Sequence, residues 1–163
     1  VAEALRVGMA ELKVARAPEK LAVYGIGSCV VLALWDERSG LGGLAHSMLP
    51  VAGRQTDGLE QPAKYCDTAV GALLEALAAL GGRPETCRAW LVGGANMFSS
   101  AAREGAPATV GERNLVSARE GLRVRRLPLA AEDCGGDRGR SMQLDCSDGT
   151  LSVWSAFTPL RRL

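Results

Sequence analysis

Three apolar runs follow one another with almost nothing between them. They are Leu21–Ile26, Val30–Trp35 and Leu41–Leu49, separated by Gly27-Ser28-Cys29 and by the polar turn Asp36–Gly40. Short apolar runs bounded by turn residues predict consecutive strands. Arg6–Val14, Cys87–Val92 and Arg123–Leu129 read as further strands. Ser141–Cys146 and Thr150–Trp154 flank Ser147-Asp148-Gly149, a hairpin signal. Two segments have helical spacing instead. Cys66, Val70, Leu73, Leu77 and Leu80 share one helix face, with Pro62 near its start and Gly81-Gly82 at its end. Thr109 and Glu112 form a capping box opening a second helix, which buries Leu115, Ala118 and Leu122. Val51–Gln61 and Ser99–Ala108 read as loops, the second mobile, and Gly93–Ala95 and Asp133–Gly139 as turns. About seven strands and two helices predict an α+β fold, a sheet or stacked sheets covered by helices.

A chain of 163 residues fits one domain, 1–163. Its 19 Lys+Arg against 18 Asp+Glu leave no excess of positive charge, and only 4% of residues are aromatic. Both observations argue against nucleic acid as a partner. The longest uncharged run, Leu21–Trp35, is shorter than a spanning helix, which needs roughly 18 residues, and glycines interrupt it. The first residues lack the basic start and apolar core of a signal peptide. Five cysteines, none in a CxxC pair, predict free thiols in a reducing, cytoplasmic setting. One histidine and no ligand-spaced cysteines predict no metal, and no phosphate or dinucleotide motif predicts a cofactor.

Chemistry concentrates at two residues. Cys29 closes the turn Gly25-Ile26-Gly27-Ser28-Cys29, whose backbone N–H groups at Ser28 and Cys29 can converge on an oxyanion. The sole histidine, His46, lies near the end of a neighbouring extended run. If the two runs pair, thiol and imidazole come within reach, the minimum for nucleophilic acyl chemistry. Either residue alone reads as core. Cys66 falls on the apolar helix face, Cys87 begins a strand and Cys146 precedes a hairpin turn. Cys134, beside Gly135-Gly136, reads as exposed and is the rival nucleophile, without a base nearby in sequence.

Several motifs, in order, resemble the CheD family of chemoreceptor glutamine deamidases. They are Tyr24-Gly-Ile-Gly-Ser-Cys-Val30, Gly43-Leu-Ala-His-Ser-Met-Leu-Pro50, Lys64-Tyr-Cys-Asp-Thr-Ala69, Gly93-Gly-Ala-Asn-Met-Phe98, Val110-Gly-Glu-Arg-Asn114 and Glu132-Asp-Cys-Gly-Gly-Asp-Arg-Gly-Arg140. The resemblance runs from about Val7 to Trp154. It implies a three-layer α/β/β fold and a cysteine hydrolase, a protein-glutamine glutaminase of chemotaxis. Cys29 falls at the nucleophile and His46 at the catalytic histidine. It further implies chemoreceptors as substrates and the CheC phosphatase as a binding partner. The family's third residue, a threonine, falls at Val23, which cannot hydrogen-bond an imidazole. A backbone carbonyl or another side chain, with Thr68 and Ser47 as candidates, then orients His46, or turnover is slow. A mainly regulatory role toward receptors and CheC is the alternative.

Overall fold

The computed structural model describes residues 3–53, 57–98 and 105–163. Among them run ten strands: β1 Leu5–Arg6, β2 Leu12–Arg16, β3 Lys20–Ile26, β4 Val30–Asp36, β5 Leu41–Ser47, β6 Cys87–Gly93, β7 Leu129–Cys134, β8 Arg140–Asp145, β9 Leu151–Trp154 and β10 Arg161–Arg162. Three α-helices accompany them: α1 Asp57–Glu60, α2 Cys66–Ala78 and α3 Val110–Val124.

The strands form two mixed sheets, ordered β1-β3-β8-β9-β10 and β2-β5-β4-β6-β7. On β4, Val30, Leu32 and Leu34 pack with Val70 and Leu73 of α2 and with Leu115, Ala118 and Leu122 of α3. Val31, Ala33 and Trp35 face the other way, joining Leu21, Val23, Met142 and Leu144 of the second sheet. Helices, central sheet and outer sheet are thus stacked as three layers of an α+β fold. A strand covered on both faces must be apolar at every position, and Val30–Trp35 accordingly reads as an unbroken run. The outer strand β8 is covered on one face, so only Met142 and Leu144 are buried, in alternation.

The architecture departs from the sequence reading at several points. The turn after β3 closes no hairpin: β3 pairs with β1 and β8, whereas β4 pairs with β5 and β6. Gly27–Cys29 therefore carries the chain from the outer sheet to the central one. Arg6–Val14 is not one strand. It divides into β1 and β2, which belong to different sheets, around a turn in which the Glu11 carboxylate accepts the Gly8 N–H at 2.8 Å. Arg123–Leu129 is not a strand either. Helix α3 continues through Val124, and β7, Leu129–Cys134, takes up Asp133-Cys134, the first residues of the expected turn Asp133–Gly139. β7 runs parallel to β6, a pairing that needs a long crossover, and α3 supplies it. One helical turn, α1, lies within Val51–Gln61. Leu80 is 51% exposed because α2 stops at Ala78. Of the loop expected at Ser99–Ala108, residues 99–104 lie outside the described residues. The capping box is formed in both directions, Thr109 accepting from the Glu112 N–H and Glu112 accepting from the Thr109 N–H.

Asp36, at the end of β4, is only 1% exposed. Burial pushes its carboxyl up. Hydrogen bonds from the Thr86 and Ser39 hydroxyls and from the N–H groups of Arg38 and Arg83 outweigh that effect and hold it below the ordinary 3.8. The carboxylate thereby ties the end of β4 to the segment leading into β6. Asp36→Ala strands two backbone donors and is expected to cost about 3 kcal/mol, lowering Tm by roughly 10 °C. Asp36→Asn keeps an acceptor and loses less. Since the folded value lies below 3.8, this stabilisation is complete above that pH and is lost as pH falls beneath it. Thermal melts at neutral pH check the substitution, and equal Tm values for Asp36→Ala and the native chain would remove the carboxylate from this role.

Candidate functional site

The β4–β5 ladder ends at the pairs Val31↔His46 and Val30↔Ser47. Cys29 is the next residue beyond Val30. Side chains alternate along a strand, so Cys29, Val31 and His46 all point to the inter-sheet side of the central sheet. Cys29 is half-buried and packs on the cluster between the sheets. His46 lies on the neighbouring strand β5, one pair in from the end of the ladder that Cys29 adjoins.

The turn before β4 is held through its carbonyls. The Gly27 carbonyl accepts from the Ala95 N–H at 3.0 Å, and the Cys29 carbonyl accepts from the Gly94 N–H at 2.8 Å. Between them, the Ser28 carbonyl accepts from the Asn114 side-chain amide at 3.0 Å. The same Asn114 nitrogen also donates to the Met48 carbonyl at 3.1 Å, just past the end of β5. Three consecutive carbonyls are therefore turned toward the protein body. In a trans peptide the N–H points opposite to its C=O. The N–H groups of Ser28 and Cys29 consequently face away from the body, and neither donates to a backbone carbonyl among the described residues. Ser28 is exposed, and beside it opens a cleft of about 330 Å³ lined by Ala95, Asn96, Met97, Phe98, Thr109 and Val110.

His46 is 4% exposed. Its backbone N–H donates to the Glu11 carbonyl and its carbonyl accepts from the Ala10 N–H, both at 2.9 Å. Burial lowers its pKa below 6.5, while the Val7 and Gly8 carbonyls and the Glu11 carboxylate act in the opposite direction. The ring is therefore neutral at pH 7. Its Nδ1 has no hydrogen-bond partner among the described residues. Val23 is 1% exposed within the inter-sheet core and offers that ring no acceptor. The two side chains considered in its place are engaged elsewhere. Thr68 donates to the Pro62 and Tyr65 carbonyls, and Ser47, next to His46 and hence on the opposite face, donates to the Ala63 carbonyl. The Val7 and Gly8 carbonyls and the Glu11 carboxylate are the groups that raise the pKa of this imidazole against its burial.

Burial pushes the Cys29 thiol above its ordinary 9.0, its own backbone N–H partly offsetting this. Both shifts favour the uncharged forms, a thiol at Cys29 and a neutral imidazole at His46. The other cysteines are less suited to chemistry. Burial pushes Cys66 and Cys134 up to about 12, and Cys87 and Cys146 up to about 11. Cys134, expected to be exposed, is half-buried, and its Sγ lies 3.4 Å from the Leu91 carbonyl. No group of three His, Cys, Asp or Glu side chains clusters as a metal site requires among the described residues. None of the described helices is long and apolar enough to cross a membrane. Asn114 closes the motif Val110–Asn114, and neither the motif nor its spacing assigns it a role. Its signal was a polar residue on the same helix face as Leu115, Ala118 and Leu122.

Comparison with known proteins finds a matching family model and full-length relatives for this chain. The family model described as CheD chemotactic sensory transduction matches residues 48–155. That stretch begins after His46, whereas the matches to the relatives below extend over nearly the whole chain. A Geobacter metallireducens protein named "Probable chemoreceptor glutamine deamidase CheD 2" is 43% identical over 159 residues, covering 98% of each chain. A Geobacillus kaustophilus protein named "Probable chemoreceptor glutamine deamidase CheD" is 36% identical over 162 residues, covering 99% of this chain and 98% of its own. A Haloarcula marismortui protein of the same name is 38% identical over 156 residues, covering 96% of this chain and 87% of its own.

Proposed function

The chain belongs to the CheD family, and from that membership we propose that it hydrolyses glutamine side-chain amides of chemoreceptors to glutamate, with Cys29 as nucleophile and His46 as proton carrier. The observation that carries the reading is the outward pair of N–H groups at Ser28 and Cys29, beside a thiol that shares a sheet face with the only histidine. His46 takes the thiol proton as Cys29 Sγ bonds to the amide carbon. The oxyanion forms against the two N–H groups, each good donor being worth roughly 3–4 kcal/mol in such sites. The C–N bond then breaks, His46 protonates the departing nitrogen, and ammonia leaves a thioester. Water, giving its proton to His46, cleaves the thioester to glutamate and restores the thiol. A glutamyl methyl ester is open to the same chemistry. The reaction draws on this chain's own residues and needs no cofactor.

A second reading is favoured by Val23. A buried valine at the family's threonine position leaves His46 without a side-chain acceptor. In that case the protein acts mainly by binding receptors and the CheC phosphatase. Mass spectrometry of a chemoreceptor cytoplasmic fragment incubated with the protein separates the two readings. Each converted glutamine gains about one mass unit, as amide gives way to acid. The expected result is that gain at discrete glutamines. A fragment that binds the protein and keeps every glutamine would overturn the enzymatic reading in favour of the regulatory one.

A further inference from the structure

Helix α3 meets the nucleophile turn at one side chain. Asn114 is 0% exposed, and its amide nitrogen donates to two backbone carbonyls, those of Ser28 and Met48. Carbonyl oxygens only accept, so the group facing them is the NH₂ and not the oxygen. The two acceptors flank the β4–β5 pair at the end where the candidate residues lie. Ser28 precedes Cys29, and Met48 follows His46-Ser47. The regular ladder stops at Val30↔Ser47, so the amide bridges the strands where backbone pairing has ended. Its other atom, Oδ1, is buried with no partner among the described residues. A buried orphan acceptor is costly, and a side chain chosen for stability alone would not carry one.

The rest of α3 is fitted to this contact. A Cβ at Gly111, one turn earlier, would lie 2.6 Å from the Gly94 and Ala95 carbonyls. Only glycine lets the helix sit flush on the Gly94–Ala95 turn, which itself holds the carbonyls of Gly27 and Cys29. Of the three carbonyls turned inward, Ser28 alone is held by a side chain.

We infer that Asn114 is a positioning residue for the reaction: by fixing the Ser28 carbonyl it aims the Cys29 N–H at the substrate oxygen, and by sharing its amide with Met48 it sets the spacing between the Cys29 and His46 strands. This inference rests on the proposed deamidation by Cys29. Without the amide, the Ser28–Cys29 peptide is free to rotate and one oxyanion donor loses its direction. A displacement of about 1 Å at such a site costs on the order of 100-fold in rate.

The test compares Asn114→Ala with Leu122→Ala. Leu122 is buried on the same helix two turns along and touches neither carbonyl, so its loss lowers stability without reaching the turn. Both are assayed for receptor-fragment deamidation well below their melting temperatures. Asn114→Ala is expected to lower kcat by about 100-fold with KM within about twofold. Leu122→Ala keeps kcat within about threefold despite a lower Tm. Asn114→Ser, which retains one short donor, is the milder variant should the alanine fail to fold, with an intermediate kcat expected. Asn114→Ala at native kcat, or equal losses in the Asn114 and Leu122 variants, would overturn the inference. Cys29→Ala is run alongside: activity surviving in it defeats the nucleophile assignment itself, whereas activity lost in it and intact in Asn114→Ala defeats only the role of Asn114.

Discussion

Cys29→Ala is expected to stop deamidation, lowering the rate by at least about 10⁴-fold, as loss of a covalent nucleophile does in enzymes whose reacting groups act as a unit. Stability is expected to stay nearly constant. Cys29 lies half-buried at the margin of the inter-sheet cluster, and its carbonyl, not its sulfur, makes the bond to Gly94. Removing one sulfur there costs about 1 kcal/mol at most. Activity and Tm therefore part company, and this separates a reacting thiol from a packing one. The native pH profile supplies a second sign. His46 must be neutral to take the thiol proton, and burial holds its pKa below 6.5. The rate should rise with pH along a limb centred below 6.5 and stay level through neutrality. The Cys29 thiol lies above 9.0, so no thiolate–imidazolium pair forms at rest to be titrated away. Initial rates on a receptor fragment from pH 5 to 9, with melts of both proteins, measure all of this. If Cys29→Ala retained a tenth of the native rate, the nucleophile would lie elsewhere. Cys134, already raised to about 12, is a poor substitute.

What the sequence disclosed followed from how each side chain meets solvent. Val30–Trp35 and Leu41–Leu49 are apolar because β4 and β5 lie in the middle layer, so their existence and adjacency were legible, and with them the shared face of Cys29 and His46. Periodicity, however, reports burial and not partnership. The Gly27–Cys29 turn looks the same whether it joins paired strands or passes between sheets, and only the pairing of β3 with β8, over a hundred residues later in the chain, distinguishes the two. The division of β1 from β2 escaped for a related reason. Val7 is buried between the sheets while its neighbours Leu5 and Arg6 are exposed, which blurs any alternation. Glycines misled at β7. Gly135 and Gly136 mark the end of that strand, and Asp133-Cys134 just before them reads as part of the turn. Asn114 was visible as a polar residue on an apolar stripe, but its two acceptors are carbonyls 86 and 66 residues away, which no local pattern encodes.

Gly93→Ala is the substitution outside the reacting groups with the largest expected effect, because fold and site share that residue. Gly93 ends β6, pairs with Val30 on one side and Cys134 on the other, and has a φ of +118°, a region that side chains rarely enter. A Cβ there would lie 2.2 Å from the Cys29 carbonyl oxygen and 2.7 Å from Ile26 Cγ2. The nearer obstacle is backbone, so the clash is relieved only by moving the Cys29 peptide or by opening the β4–β6 ladder. Either movement also disturbs the bond from the Gly94 N–H to that carbonyl. Strain and overpacking together are expected to cost about 3–5 kcal/mol, a fall in Tm of roughly 10 °C or more. The fraction that still folds should deamidate at least about 100-fold more slowly, since the nucleophile and its N–H shift with the carbonyl. Gly135→Ala isolates the conformational part. Gly135 also has a positive φ, of +78°, but open space where its Cβ would go. It should cost about 1 kcal/mol and leave the rate nearly native. Urea unfolding and deamidation rates of the two variants decide the matter. Equal, mild effects in both would mean that the backbones of Gly93 and Cys29 do not meet as closely as this arrangement of the nucleophile requires.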